Sequence, residues 1–412
     1  MGIAIEAVTA LLAVAGIAYM VLALWGARDY LRAVQRARAA QPFAAGVSLL
    51  KPLKGVDPRM YAGLQSHCRQ VYPAPFELVF GVHRLDDPAV QEVHRLQAEF
   101  PDLLIKLVEC RERLGTSGKV SNLVQMLPHA SYEYIVINDS DIFVSPTYLS
   151  GVMRYFHNAA VGMVTAPYIG RTGVGGREKT VWAKLEALGI STDFVPGVLT
   201  ARKLESGIRF GMGSTLAFTR TALANAGGLD PLVEFLADDY ELGKRISKAG
   251  YQVMLCGETV ETTVPPYSLR DFWDHQMRWA RSTRDSRKLG YIGLGVTYTV
   301  PWALMTVVAS GGALWSFTLL VLASLARIAV ALTIGVGLLR DDQVLRDLWL
   351  LPVRDLFALL FWAWSFAGDT VVWRGEEFRL KDGRILPVQG ASDPVKGMAS
   401  AMPKSERNHT GF

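Results

Sequence analysis

The sequence predicts an α/β domain with a mostly parallel sheet, held between apolar helices at the two ends of the chain. Three observations point there. Residues 40 to about 268 alternate short β-rich runs with amphipathic stretches of helix length, the rhythm that parallel strands need for their crossovers. Ile3 to Trp25 is almost wholly apolar, with Glu6 its only charge. Two further apolar blocks, Tyr291–Leu339 and Leu348–Trp373, follow the alternating region.

Composition agrees with a membrane protein that carries a sizeable water-soluble part. Hydrophobic residues make up 50% and charged residues 20% of the 412, and mean hydropathy is +0.21. This excludes a disordered, collagen-like or coiled-coil chain. The net charge of +5 is too mild for a nucleic-acid binder, so no nucleic acid is expected as a partner. Cys68, Cys110 and Cys256 are odd in number and form no CxxC pair, which speaks against disulfides or a zinc site and for a reducing, cytosolic face.

Residues 1–27 read as a transmembrane anchor. The segment is long enough to cross a bilayer of about 30 Å, and no basic residue precedes it as in a cleaved signal peptide. Arg28, Arg32, Arg36 and Arg38 come after it, which places the next domain in the cytosol by the positive-inside rule. Arg28, Arg32 and Arg36 share one helix face, turned to lipid phosphates or simply to water. In the domain at 28–268, strands are predicted at Val47–Leu50, Phe76–Val82, Leu104–Val108 and Tyr134–Ile137. Helices are predicted at Pro58–Gln70, Pro88–Phe100 and Lys119–Leu127.

Residues 269–290 predict an amphipathic helix lying in the bilayer interface. Phe272, Trp273, Gln276 and Trp279 form its aromatic side, and Arg278, Arg281, Arg284, Arg287 and Lys288 its cationic side. Residues 291–373 are membrane segments. The first block has room for two crossings, bent at Pro301 and at Gly311-Gly312, and the second either spans or lies in the interface. Arg327, inside the first block, should face protein, water or a headgroup rather than lipid. In the polar tail at 374–412, Arg374, Arg379, Lys381 and Arg384 argue for the cytosolic side, whereas four spans would put the tail outside.

Ligands of parallel α/β sheets sit beyond the carboxyl ends of the strands, and acids stand there. Asp86-Asp87-Pro88 follows one run and Asn138-Asp139-Ser140-Asp141 another. Asp139 and Asp141, at i and i+2, can reach one hard cation; the same residue types also make turns and caps. Asp238-Asp239-Tyr240-Glu241 opens a helical pattern, where acids serve chemistry or merely complement the dipole. His67, His83, His94, His129 and His157 show no metal-ligand spacing.

As a set these residues resemble the ceramide glucosyltransferase family and its bacterial relatives, including hopanoid-associated glycosyltransferases. The likeness runs through Ser48-Leu-Leu-Lys-Pro-Leu-Lys-Gly-Val-Asp-Pro58, Asp86-Asp87-Pro88-Ala89, Asp139-Ser140-Asp141, Ala237-Asp238-Asp239-Tyr240 and Arg278-Trp279. It ends in Trp373-Arg374 with Phe378-Arg379-Leu380. The resemblance implies a GT-A fold in an integral membrane protein of the bacterial inner membrane, with the catalytic domain cytosolic. It implies inverting transfer of one hexose from UDP-glucose or UDP-N-acetylglucosamine to a hydroxyl of a ceramide-type or hopanoid lipid, with Mg²⁺ or Mn²⁺.

By the same resemblance Asp87 contacts the uracil or ribose, and Lys119 the diphosphate. Asp139 and Asp141 hold nucleotide and metal, Asp239 is the general base, and Arg278 and Trp279 meet diphosphate and acceptor. Two positions depart from the family pattern. His275, followed by Gln276, stands where the family has Gln or Arg, and Asp193 where animal members carry a histidine near the donor. A processive polysaccharide synthase shares the Arg-Trp motif but needs more spans to thread a polymer. An inactive membrane scaffold would have lost site acids, and all are present.

Overall fold

The computed structural model describes residues 2–57, 59–173, 179–373 and 376–387. Nine strands build the α/β domain: β1 (Val47–Pro52), β2 (Phe76–Val82), β3 (Leu104–Glu109), β4 (Tyr134–Ile137), β5 (Val161–Thr165), β6 (Tyr168–Arg171), β7 (Leu216–Thr219), β8 (Gln252–Leu255) and β9 (Val260–Thr263). Seven pair in the order β3-β2-β1-β4-β7-β5-β8. The first four are mutually parallel, and β7 runs antiparallel to both its neighbours. β6 and β9 form a separate parallel pair. The predicted α/β architecture stands, with β5 to β9 added to it.

The sheet is parallel because β1, β2 and β4 are buried on both faces and mostly apolar, with Ser48, Lys51 and Glu77 the buried exceptions, as crossover helices require. Those helices run over Met60–Cys68, Ala89–Glu99 and Gly118–Met126, each within two residues of its predicted ends, save the predicted start at Pro58, which lies outside the described residues.

The N-terminal helix is longer than the expected anchor and runs unbroken from Gly2 to Ala39. Its second half rests on the α/β domain. The Tyr30 hydroxyl donates to the Cys256 carbonyl at 2.5 Å, and Asp29 accepts from Arg202 at 2.7 Å. Arg28, Arg32 and Arg36 stay exposed.

After helix Leu269–Ser286 the chain enters the apolar C-terminal part. The bend there, 55°, falls between Lys288–Thr297 and Thr299–Ala309, not at Pro301. Pro301 is tolerated because it lies in the first helical turn, where its missing N–H would have had no intrahelical partner. Gly311 (φ 65) and Gly312 (φ 81) reverse the chain as expected, since residues with a Cβ avoid that region. The returning helix spans Leu314–Val330 and continues as a π-turn to Leu338. This hairpin packs on the N-terminal helix through small residues, with Ala13, Ala303 and Ala323 buried together. The Thr306 hydroxyl donates to Thr9 at 3.0 Å in the same seam.

Three described helices, at 2–39, 314–338 and 348–365, are long and apolar enough to cross a membrane, or four with the bent pair. The loop between the last two folds back onto β6. Gln343 donates to the Gly170 carbonyl at 2.6 Å, and Asp341 accepts from Ser191 at 2.7 Å.

Helix Leu351–Ser365 then runs along helix Leu269–Ser286. Phe272 is fully buried and packs on Trp182, Phe357 and Phe361 at ring distances of 5.8, 5.8 and 5.5 Å. The aromatic side expected to meet the bilayer is therefore largely covered by protein. The cationic side is occupied too, because Arg281 and Arg284 donate to the carbonyls of Thr370 and Ser365, and Arg287 pairs with Glu205. Helical periodicity marks an apolar face without saying whether lipid or protein covers it.

The described residues end in a three-stranded antiparallel sheet of β10 (Thr370–Trp373), β11 (Glu376–Lys381) and β12 (Arg384–Pro387). It docks on the α/β domain, where Ile385 N–H donates to Glu234 at 2.8 Å and Leu236 N–H to Gly383 at 3.2 Å. Part of the expected polar tail is therefore folded. Arg374 and the segment 388–412 lie outside the described residues.

Arg327 faces protein. Its Nε donates to both Asp355 oxygens at 3.0 Å, its Nη1 to the Thr192 carbonyl at 2.8 Å, and its Nη2 to Asp193. Replacing it leaves the buried Asp355 carboxylate without the guanidinium that meets both its oxygens. Arg327→Ala is expected to lose about 3–5 kcal/mol, read as a lowered melting transition of the detergent-purified chain.

Candidate active site

A cavity of about 1360 Å³ opens beyond the carboxyl ends of β1, β2 and β4 and continues between the apolar helices. Every site residue expected from the sequence lines it: Asp87, Lys119, Asp139, Asp141, Asp239, and His275, Gln276, Arg278 and Trp279.

Asp87 lies at one end. Its carboxylate accepts the Gly55 N–H at 2.9 Å and the Ala89 N–H at 2.9 Å. It therefore fastens the loop after β1 to the helix that begins at Ala89, and shapes that end of the cleft through the backbone.

Lys119 sits in the first turn of its helix, whose start is capped by Ser117. Its ammonium lies 2.9 Å from Asp139 and 3.4 Å from Asp238. Burial alone would favour the neutral amine, but the Asp139 and Asp238 carboxylates outweigh it and hold the proton more tightly than usual. Asp139 stands two residues past the end of β4, and its backbone carbonyl accepts from Lys51 at 3.1 Å. Asp141, two residues on, accepts from the Thr262 hydroxyl at the end of β9. Burial and then the Asp139 charge push the Asp141 carboxyl up. Among the described residues no group of three or more His, Cys, Asp or Glu is placed to hold a metal, so protein ligation here would come from the carboxylates of this pair.

Asp239 is the second residue of the helix Asp238–Lys248. Its oxygens accept the Gly213 N–H at 2.6 Å and the Tyr240 N–H at 2.8 Å. Gly213 fits between two acids: a Cβ there would lie 3.3 Å from Asp239 Oδ2 and 3.5 Å from Asp139 Oδ2. Burial, then the neighbouring Asp238, raise the Asp239 carboxyl to about 6, against the pull of Lys119 and the two N–H donors. Such a group changes charge near neutral pH, as a proton acceptor should.

On the far wall, His275 Nδ1 lies 2.9 Å from Glu186, whose carboxylate the Gln276 amide approaches at 3.5 Å. Tyr267 stacks on His275 at 5.4 Å, and Trp279 stands 4.9 Å from the same ring. Arg278 and Trp279 are half-buried.

The sequence reading passed over Lys51 and Glu186, 0% and 4% exposed. Lys51 was visible as the lone charge of β1, and Glu186 as the acid beside Lys184 in the otherwise apolar helix Val181–Gly189. Lys51 is pulled down to about 7 by its burial, against the charges of Asp139 and Asp141.

The chain is 26% identical over 243 residues to ceramide glucosyltransferase 1 of Caenorhabditis elegans, a stretch that covers 58% of this chain and 50% of the relative. It is 31% identical over 113 residues to the ceramide glucosyltransferase of Komagataella phaffii, 26% of this chain and 22% of the relative. Its best-covered stretch thus spans about half the length of the curated relatives it matches. Among solved structures, a mannosyltransferase from Pyrobaculum calidifontis in complex with GDP-Man and Mn²⁺ superposes with a TM-score of 0.45 and 20% identity, over 86% of this chain and 97% of the other. The decisive match is to the description Glycosyl transferase family 21, which covers residues 8–386 and so takes in the sheet, the acid cluster and the apolar helices together. The chain belongs to glycosyl transferase family 21.

Proposed function

We propose that the protein is a membrane-bound inverting hexosyltransferase. It moves one sugar from UDP-glucose or UDP-N-acetylglucosamine to a hydroxyl of a ceramide-type or hopanoid lipid. The observation that carries this reading is Asp239, a buried carboxylate raised to about 6, in a cavity shared by Lys119 and the apolar helices. That cavity gives a soluble donor and a lipid acceptor one place to meet. Asp87, Asp139, Asp141 and Asp239 all line it, which argues against a scaffold that has lost its chemistry. Three or four candidate spans among the described residues fit transfer to a lipid better than threading of a polymer. In this reading the domain faces the cytosol at a bacterial inner membrane.

In the transfer, the lipid hydroxyl oxygen attacks the anomeric carbon as the bond to the diphosphate oxygen breaks, and its electron pair leaves with UDP. Asp239 takes the hydroxyl proton, help worth about 10²–10⁴-fold. Its two backbone donors leave lone pairs free for that proton, because a carboxylate offers about four acceptor sites. Lys119 and Arg278 stabilise the charge that gathers on the departing diphosphate. Asp139 and Asp141 suit a hard cation by donor type, the remaining positions falling to phosphate oxygens and water. Mg²⁺ or Mn²⁺ bound there would add positive charge at the leaving group. Asp87 shapes the end that receives uracil and ribose. His275 and Gln276, fastened by Glu186, hold Arg278 and Trp279 toward diphosphate and acceptor.

The test is lipid mass spectrometry of the purified chain with each UDP-sugar, with ceramide or a hydroxylated hopanoid, in Mn²⁺ or EDTA. A lipid that gains one sugar only with metal is the expected product. Donor hydrolysis without a glycolipid would remove the proposed acceptors. Asp239→Asn is expected to slow transfer by about 10² or more while UDP affinity stays within twofold; loss of UDP binding would make Asp239 a donor ligand instead. Because the carboxylate is the active form, the wild-type rate should fall below about pH 6, approaching tenfold per unit. Asp141→Ala should raise the Mn²⁺ concentration for half-maximal rate by roughly tenfold, and an unchanged titration would strip it of the ligand role.

A further inference from the structure

Glu186 is a buried acid to which the transfer gives no chemical part. It lines the cavity from helix Val181–Gly189 and is 4% exposed. Its Oε2 lies 2.9 Å from His275 Nδ1 and 3.5 Å from the Gln276 amide nitrogen. A carboxylate accepts and does not donate, so the short contact needs the proton on Nδ1. The neutral ring then presents Nε2 as a bare lone pair. Tyr267 stacks on the ring at 5.4 Å and Trp279 stands 4.9 Å from it, so its orientation is held as well as its tautomer.

His275 Nε2 makes no hydrogen bond among the described residues, and the side chain is 20% exposed where it lines the cavity. The free edge of this fixed ring is therefore an acceptor, and it suits a ligand group that donates. A hydroxyl donates; a phosphate oxygen only accepts and finds no partner there. Gln or Arg, the residues expected at this position, would donate and so would meet a phosphate as well.

Two buried tyrosines place the pair relative to the acids. Burial raises the Tyr168 hydroxyl most, and after it the charges of Asp239 and Glu186. Burial also leads for Tyr267, followed by Glu186, with Arg278 opposing and Asp141 adding. Both rings feel the Glu186 carboxylate and the acids at once, so the two groups border one chamber. A nucleotide sugar with its diphosphate at Lys119 and the Asp139–Asp141 pair carries its hexose into that chamber. A hexose presents several hydroxyls, whereas the lipid hydroxyl that receives the sugar gives its proton to Asp239.

We propose that His275 Nε2 accepts a hydrogen bond from one hydroxyl of the donor's hexose, and that Glu186 is the positioning residue that fixes the ring for it. The pair then helps to decide which sugar is bound. This rests on the UDP-sugar reading above.

The experiment measures binding by calorimetry to the full chain in phosphatidylcholine nanodiscs, with Mn²⁺ and no acceptor lipid. The ligands are UDP, UDP-glucose and UDP-N-acetylglucosamine, and analogues of each sugar that lack one hydroxyl. His275→Asn keeps an amide where Nδ1 stands, and with it a bond to Glu186, but has nothing at Nε2. In wild type the loss of one particular hydroxyl should weaken binding by about tenfold or more. In His275→Asn the same loss should cost less than about twofold, the non-additivity of two groups in contact, while UDP binds as in wild type. Glu186→Gln can donate to Nδ1 and so releases the tautomer; it should erase most of the discrimination. His275→Gln carries an amide where Nε2 stands and should regain part of it. Equal discrimination in wild type and His275→Asn overturns the proposal. A parallel loss of UDP and UDP-sugar binding in that variant also overturns it, as the mark of a supporting role. Transfer to lipid is followed beside binding. If no lipid is glycosylated but the discrimination is present and His275→Asn abolishes it, the sugar contact stands and the transfer reading falls. If lipid is glycosylated and wild type ignores every single hydroxyl, the contact falls and the transfer reading stands.

Discussion

The buried guanidinium of Arg327 is the constraint on which the rest of the arrangement depends. It sits on the helix Leu314–Val330 and bonds to Thr192 and Asp193 on one side and to Asp355 on the other. Three separate stretches of chain therefore meet at one charge that cannot be left in lipid. A charge at that depth is stable only if its partners are already in place, so folding the membrane half also fixes the wall of the cavity. The same tie explains why the end of that cavity carries polar groups at all.

At the other end, order comes from crowded acids. Asp139, Asp141, Asp238 and Asp239 converge from the ends of two elements, and Lys119 lies between Asp139 and Asp238. Unopposed, four carboxylates would repel one another and take up protons. The buried ammonium restrains that, yet Asp141, Asp238 and Asp239 are still raised. Burial is the first cause of each rise and a neighbouring carboxylate adds to it, so positive charge brought close to these acids would favour their ionised form.

Much of this was legible in the sequence, and the gaps have physical causes. β1 to β4 are mostly apolar runs interrupted only by isolated charges such as Lys51, Glu77 and Lys106, so their positions followed from composition. β7 is the four-residue Leu-Ala-Phe-Thr and β9 is Val-Glu-Thr-Thr. Neither carries a pattern, because their pairing is decided by distant partners. The acids after the runs were found because topology alone places ligands there. Glu186 was missed although it fastens His275, since the sequence does not reveal that an acid on one helix faces a histidine on another. Phe272 was read as a membrane contact because lipid and protein look alike to an apolar ring.

The docking of the last sheet turns one apolar helix into a strap. Residues 341–343 are bonded to β6 and Ser191, and residues 383–385 to the segment at 234–236. Both ends of helix Leu351–Ser365 are thus tethered to the α/β domain, and between them Phe357 and Phe361 pack on Phe272 and Trp273. Pulling this helix away would mean breaking the ties at both ends, so the helix that carries His275 and Trp279 is clamped from behind.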